Sequence, residues 1–244
     1  MIRMTSLADT AFAPMPQQRP VLRHVALVPD GNRRWARERD VPVFEGHRRG
    51  GERCIEFLEW CGRHPGIEVV SIGLSSAENL ARRPAGEVEG VDRVTAAVIG
   101  QAAATGRWRL NLLGDVDLLT PALAETLRAF VASTADVAGP VVNFAVGYSG
   151  RAELMRAVDA LRSSAASTGP VRAQDIERHL DTAGQPDCDL MIRTAGQTRL
   201  CGFMPWQSIY SHLYVADPHW PDFAKSDFAR ALDSFHGSER RMGS

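Results

Sequence analysis

Two stretches of this sequence concentrate groups that handle charge. In the first, HVALVPDGNRRWAR, an apolar run closes on Asp30, and Gly31 and Asn32 open what reads as a helix. A helix start leaves backbone N–H groups unpaired, and these attract an anion. Arg33 and Arg34 add positive charge, and Asp30 is placed to hold a divalent cation that bridges to the same anion. Magnesium suits such a place, because it binds through one or two carboxylates plus phosphate oxygens and water. The plainer alternative is a turn in which Asp30 caps the helix and the arginines face solvent. In the second stretch, DLMIRTAGQTRLCGFMPWQSIYSHLY, Arg193 follows an apolar run and Arg199 follows a glycine-containing loop. Two guanidiniums offered this way can grip a diphosphate through several charge-assisted hydrogen bonds. The alternative there is two ordinary surface arginines. Trp206, Tyr210 and Trp220 read as core or interface packing.

These groups need elements to position them. Apolar runs at 24–28, 68–74, 110–113, 141–146, 190–192 and 213–215 read as strands, and helical patterning marks 47–63, 87–104, 151–161 and 228–235. Thr120 before Pro121 is an N-cap followed by proline at the first helical position, which starts a further helix. The alternation predicts an α/β fold, a single domain with a mostly parallel central sheet flanked by helices. Ligands of such sheets bind beyond the carboxyl ends of the strands. Three segments fall there: 30–35, 75–83 and 193–207. Residues 1–20 carry Pro14, Pro16 and Pro20 without the apolar centre of a signal peptide, so they are expected to form a flexible leader before a domain at 21–244. Residues 163–169 read as a polar loop of small side chains.

Composition narrows the function classes. The chain has 244 residues and a net charge of −1, so nothing global points to nucleic acid and any cationic site must be local. No apolar run approaches the roughly 18 residues of an integral membrane span. The four cysteines (Cys54, Cys61, Cys188 and Cys201) show no CxxC or metal-ligand spacing. They read as buried or idle thiols, and the protein is expected to be cytoplasmic.

Taken in order, HVALVPDGNRRWA, EGHRRGG, SAENLARRP, GYSGRAE, DLMIRTAGQTRLCGFMPWQSIYSHLY and WPDF resemble the cis-prenyltransferases of the undecaprenyl diphosphate synthase type over about residues 24–243. The resemblance implies a Mg²⁺-dependent transferase that condenses allylic and isoprenoid diphosphates with release of diphosphate. It implies that Asp30 binds the metal and that Gly31, Asn32, Arg33, Arg34, Trp35 and His47 cradle the allylic diphosphate. Asn79 is implied to assist proton removal, with Ser76, Glu78 and Leu80 beside it. Arg83, or its neighbour Arg82, would reach the leaving diphosphate. Arg193, Arg199, Leu200 and Cys201 would hold the diphosphate of the second substrate. The family's C-terminal Arg-x-Gly, matched here by Arg241 and Gly243, implies a homodimer.

The sequence departs from the family at several of these places. His212 stands where a glutamate usually helps to bind magnesium, and imidazole suits a hard cation less well. Val43 replaces an arginine, Leu80 a tryptophan, Gln197 a glutamate, and Cys201 with Gly202 a Ser-Asn pair. The 87–104 helix looks short and small-sided for a long-chain tunnel. A retuned second site points toward the family's irregular branch, the lavandulyl-type synthases, which couple two dimethylallyl units head-to-middle. A regular short-chain elongase adding isopentenyl diphosphate, and an inactive regulatory or scaffold subunit, are the alternatives.

Overall fold

The computed structural model describes residues 21–163, 170–199 and 201–238. The expected leader at 1–20, most of the polar loop at 163–169, Leu200, Arg241 and Gly243 lie outside the described residues.

Six strands form one sheet: β1 (His24–Val28), β2 (Val69–Gly73), β3 (Arg109–Leu113), β4 (Val141–Ala145), β5 (Leu190–Arg193) and β6 (His212–Val215). Their spatial order is β3-β4-β2-β1-β5-β6, and every pairing is parallel. The central strands are near-continuous apolar runs with one polar residue each, because helices cover both faces, as parallel sheets require. The helices are α1 (Asn32–Glu38), α2 (Val43–Cys61), α3 (Ala77–Arg82), α4 (Ala85–Ala104), α5 (Pro121–Ala132), α6 (Gly150–Ser163), α7 (Ala173–Glu177) and α8 (Lys225–Gly237). The expected fold class holds. At five and six residues, α7 and α3 are too short for an apolar period to show in the sequence. Among the described residues no helix is long and apolar enough to cross a membrane.

The two faces of the sheet are built differently. One carries the main apolar core, in which side chains of α2, α4, α5 and α8 meet those of the strands. Its centre is aromatic: the Phe57 ring stands edge-on to Phe228 at 5.1 Å and to Trp220 at 5.9 Å. The other face has a polar row. His24 Nε2 lies 2.8 Å from Ser71 Oγ, Asn143 Nδ2 donates to Ser71 Oγ at 2.9 Å, and Asn111 Nδ2 donates to Asn143 Oδ1 at 3.1 Å. Ser71, Asn143 and Asn111 are register partners on β2, β4 and β3, and His24 joins them from β1 on a diagonal, two residues before the Ala26 that pairs with Ser71.

The chain leaves β1 toward β2 on one side and later adds β5 and β6 on the other. The winding therefore reverses between β1 and β5. In open parallel sheets the crevice above such a reversal is where ligands bind. Asp30 follows β1 by two residues, and Arg193 is the last residue of β5.

Candidate active site

The β1–β5 pairing sets Val28 beside Arg193, so two segments far apart in sequence end side by side. Arg193 is 3% exposed, and its Nε and Nη2 both donate to Asp30 Oδ2, at 2.8 and 2.7 Å. Its Nη1 donates to the Arg199 carbonyl, which folds the following loop back over the strand end. Thr194 Oγ1 donates to the Asp30 carbonyl at 2.7 Å. A buried guanidinium thus ties together the two charge-bearing stretches singled out in the sequence. Charge-assisted bonds of this kind are roughly twice as strong as neutral ones.

Behind Asp30 the backbone turns sharply. Gly31 has φ 109°, a left-handed value that a side chain resists, and a Cβ there would lie 2.7 Å from His219 Nδ1. Asn32 opens α1 against α2, where Gly46 and Gly50 leave room for it. A Cβ on Gly50 would come within 2.5 Å of Asn32 Oδ1, and one on Gly46 would run into the Asn32 carbonyl oxygen. Trp220 Nε1 donates to the Gly50 carbonyl at 2.8 Å, and Trp35 Nε1 donates to Asp222 Oδ1 at 2.8 Å. The WPDF segment therefore clamps α1 and α2 together. Trp35 is committed to that clamp, while Asn32 Oδ1 is buried and unpaired.

A second cluster gathers around Glu87 in the first turn of α4. Its Oε1 lies 3.3 Å from Arg83 Nε, 3.5 Å from His47 Nε2 and 4.0 Å from Arg33 Nε. Burial and then the Arg83 charge hold the His47 imidazole below its ordinary pKa, with Glu87 pulling the other way. Burial likewise lowers the Arg83 pKa, against the pull of Glu87. Arg33, His47 and Arg83 were expected to share a diphosphate, and the structure brings them together. It also adds Glu87, an acid that sequence reading took only as the start of a helix.

Other expected residues are placed less centrally. Ser76 caps α3, its Oγ accepting from Asn79 N–H at 3.2 Å, and the Asn79 and Glu78 side chains are exposed on that helix. The Glu78 carboxyl is held below its usual range chiefly by a backbone N–H, with the Ser76 and Ser149 hydroxyls helping. Leu80 packs against the main core. Arg34 is exposed, and its guanidinium reaches the Ala195 carbonyl at 3.4 Å. Arg199 and Cys201 are exposed on the loop after β5. That loop is anchored from behind: Met204 N–H donates to Tyr148 Oη at 3.2 Å, and Tyr148 Oη donates to Glu153 Oε2 at 2.5 Å. Glu153 is 1% exposed, and burial raises its pKa. Tyr148 and Glu153 lie in the GYSGRAE motif, which offered the only sequence signal for this anchor.

His212 is not brought to Asp30. It opens β6 opposite Leu190, three residues before the strand end at which Arg193 and Val215 pair. Three residues of strand span about 10 Å. Its Nε2 bonds instead with Ser234 Oγ of α8 at 2.9 Å. Among the described residues no three His, Cys, Asp or Glu side chains converge as a metal-binding group. Asp30 by itself still fits magnesium. Its side chain is about one third exposed, Arg193 uses only Oδ2, and a hard cation of this kind takes one carboxylate plus phosphate oxygens and water.

A buried arginine paired with an acid at the sheet's reversal point, with a second cationic cluster beside it, has the charge and donor geometry that suit phosphate groups. The sequence model described as "Putative undecaprenyl diphosphate synthase" matches residues 28–243, nearly the whole chain. The chain belongs to that family of prenyltransferases. This prenyltransferase is 42% identical over 230 residues to the short-chain Z-isoprenyl diphosphate synthase of Mycobacterium leprae, covering 91% of this chain and 87% of the relative. It is 41% identical over 233 residues to the (2Z,6E)-farnesyl diphosphate synthase of Thermobifida fusca, covering 92% and 91%. Among solved structures, the lavandulyl diphosphate synthase of Lavandula x intermedia, in complex with dimethylallyl diphosphate, superposes with a TM-score of 0.86 at 26% identity, covering 92% of this chain and 99% of that one.

Proposed function

We propose that this prenyltransferase is a short-chain cis-prenyl diphosphate synthase that joins an allylic diphosphate to isopentenyl diphosphate. The observation that carries the proposal is the junction of Asp30 with buried Arg193, beside the cluster of Arg33, His47 and Arg83. That arrangement offers two adjoining cationic places, one for a leaving diphosphate and one for the diphosphate of the attacking substrate. When the allylic C–O bond breaks, its electron pair goes to the diphosphate, and fixed guanidiniums stabilise the charge that develops there. The alkene of the second substrate then forms the new C–C bond, and a proton leaves the carbon beside it. Asn79, Ser76 and Glu78 on and before α3 are assigned to that end of the reaction. Magnesium would be held by Asp30, where it supplies further charge stabilisation to the leaving oxygens.

The relatives from M. leprae and T. fusca support a regular, short product over the irregular one. His212, one of the departures that suggested a retuned second site, bonds with Ser234 Oγ within one subunit, which adds no support to the irregular reading. Head-to-middle coupling of two dimethylallyl units remains the second reading, favoured by the superposition on a lavandulyl diphosphate synthase and by Cys201 and Gly202 on the loop after β5. The homodimer implied by the family is proposed on the exposed Ile209, Tyr210 and Leu213 beside edge strand β6. A cytoplasmic location is proposed on the buried free thiols of Cys54, Cys61 and Cys188.

The test incubates purified protein with magnesium and dimethylallyl, geranyl or farnesyl diphosphate, with and without isopentenyl diphosphate, and identifies products by mass and NMR. Linear Z-products that require isopentenyl diphosphate are expected. A branched product from dimethylallyl diphosphate alone would establish the second reading, and no condensation at all would leave only a scaffold role.

A further inference from the structure

Glu87 is out of place in a site that binds anions. Its side chain is 16% exposed and its Oε1 is fully buried, yet no hydrogen bond reaches that oxygen among the described residues. The groups facing it are Arg83 from the end of α3, His47 from α2 and Arg33 from α1, at 3.3, 3.5 and 4.0 Å. Two of these, Arg83 Nε and His47 Nε2, are themselves buried without a hydrogen bond. These three buried polar atoms pair by charge but make no well-directed hydrogen bond with one another. Buried groups left this way are unusual in folded proteins and mark a place that another ligand completes. Position holds the carboxylate there: Glu87 lies in the first turn of the 20-residue α4, where a negative charge is favoured by the helix dipole.

We propose that Glu87 is a built-in counter-ion of the diphosphate site, which holds Arg33, His47 and Arg83 in place when empty and must surrender them when a diphosphate binds. The proposal rests on the functional reading above and deepens it. An incoming diphosphate takes the donors that face Glu87 and is repelled by the carboxylate left behind. Glu87 therefore weakens the hold on substrate and on released diphosphate alike. The benefit falls on turnover, because a site built from so many cations would otherwise retain its product.

The test measures binding of inorganic pyrophosphate by calorimetry, and its inhibition of prenyl transfer, for wild type, Glu87→Gln, Glu89→Gln and Arg83→Ala. Glu87→Gln should tighten pyrophosphate binding about tenfold, equivalent to about 1.4 kcal/mol, and lower its inhibition constant in step. Glu89 is exposed on the same helix, so Glu89→Gln makes the same change in net charge and should leave binding unchanged. Arg83→Ala should weaken binding, which locates the ligand at this cluster. Should Glu87→Gln fail to fold, Glu87→Asp withdraws the charge by one methylene and should tighten binding in the same sense, by less. Equal or weaker binding in the Glu87 variants, or equal tightening in Glu89→Gln, overturns the counter-ion role. A wild type that binds pyrophosphate and transfers prenyl groups, with no tightening in Glu87→Gln, overturns this inference alone. A wild type that does neither overturns the functional reading together with it.

Discussion

Replacing Asp30 by asparagine keeps the side chain's shape and removes its charge, which separates two roles that the geometry gives to one carboxylate. One role is structural: Oδ2 receives Nε and Nη2 of Arg193, a guanidinium that is 3% exposed. An amide oxygen can still accept one of those bonds, and the acid's one-third exposure screens the lost charge. The stability loss should then be about 1–2 kcal/mol, a fall in melting temperature of about 2–8 °C for a chain of this size. The other role, in the proposed reaction, is catalytic: Oδ1, which Arg193 does not use, would hold the magnesium that stabilises the leaving group's charge. Loss of one transition-state contact of that kind lowers kcat about 10²–10³-fold. The assay pairs thermal melting with steady-state condensation over a range of magnesium concentrations. A folded Asp30→Asn protein that turns over within about threefold of wild type would refute the assignment. Loss of activity that tracks complete unfolding would reduce Asp30 to a partner of Arg193.

Arg199→Ala should mainly raise the KM for the second substrate, by about tenfold for one lost charged contact, whereas Arg193→Ala should also lower kcat because it frees Asp30. Equal kinetic profiles for the two variants would count against the pairing as the difference between them. Gly50→Ala should destabilise by about 1–3 kcal/mol and depress activity, since its Cβ would meet Asn32 Oδ1 at 2.5 Å; an unchanged urea midpoint would show that α1 and α2 can separate freely. Stability should fall on acidification. His24 is fully buried and burial lowers its pKa, so the unfolded chain takes up the proton first; the contribution is full above about pH 6.5 and is lost as pH falls toward the lower folded value. His47 acts in the same direction. A urea midpoint that is flat from pH 7.5 to 5.5 would contradict both.

The fold was legible because parallel strands covered on both faces are written as near-continuous apolar runs, and such runs need no partner to be seen. Helix starts were legible where a cap carried them, as at Thr120, whose Oγ accepts from Leu123 N–H at 3.4 Å. The polar row from His24 to Asn111 was not, because each member sits alone in an apolar run and finds its partner only across the sheet. Asp30 and Arg193 were each visible as chemistry, but their bond spans 163 positions of sequence and follows from strand order alone. His212 shows what a motif leaves unsaid about position. Its motif position suggested a metal ligand, yet a strand fixes which end a residue occupies, and His212 begins β6 where the site lies at its close. Glu87 was hidden for a related reason: an acid in a first helical turn is ordinary, and only the packing of α1, α2 and the α3 end around it makes it unusual.

The Asp30–Arg193 bond also bears on how such a site chooses between products. In the proposed reaction the two diphosphate places are not independent, because the acid assigned to one is the ion-pair partner of the arginine assigned to the other. A change on either side therefore moves both head groups, and a displacement of about 1 Å alters which carbon meets the reacting centre. The loop carrying Arg199, Cys201 and Gly202 is fixed at two points, by Arg193 through the Arg199 carbonyl and by Tyr148 through Met204 N–H. Between those points the side chains can vary without unfolding the strand end. On the proposed function, regular and irregular coupling become alternative settings of one loop over a constant Asp30–Arg193 base, so substitutions at residues 199–204 should shift product type more than substitutions that leave the loop alone.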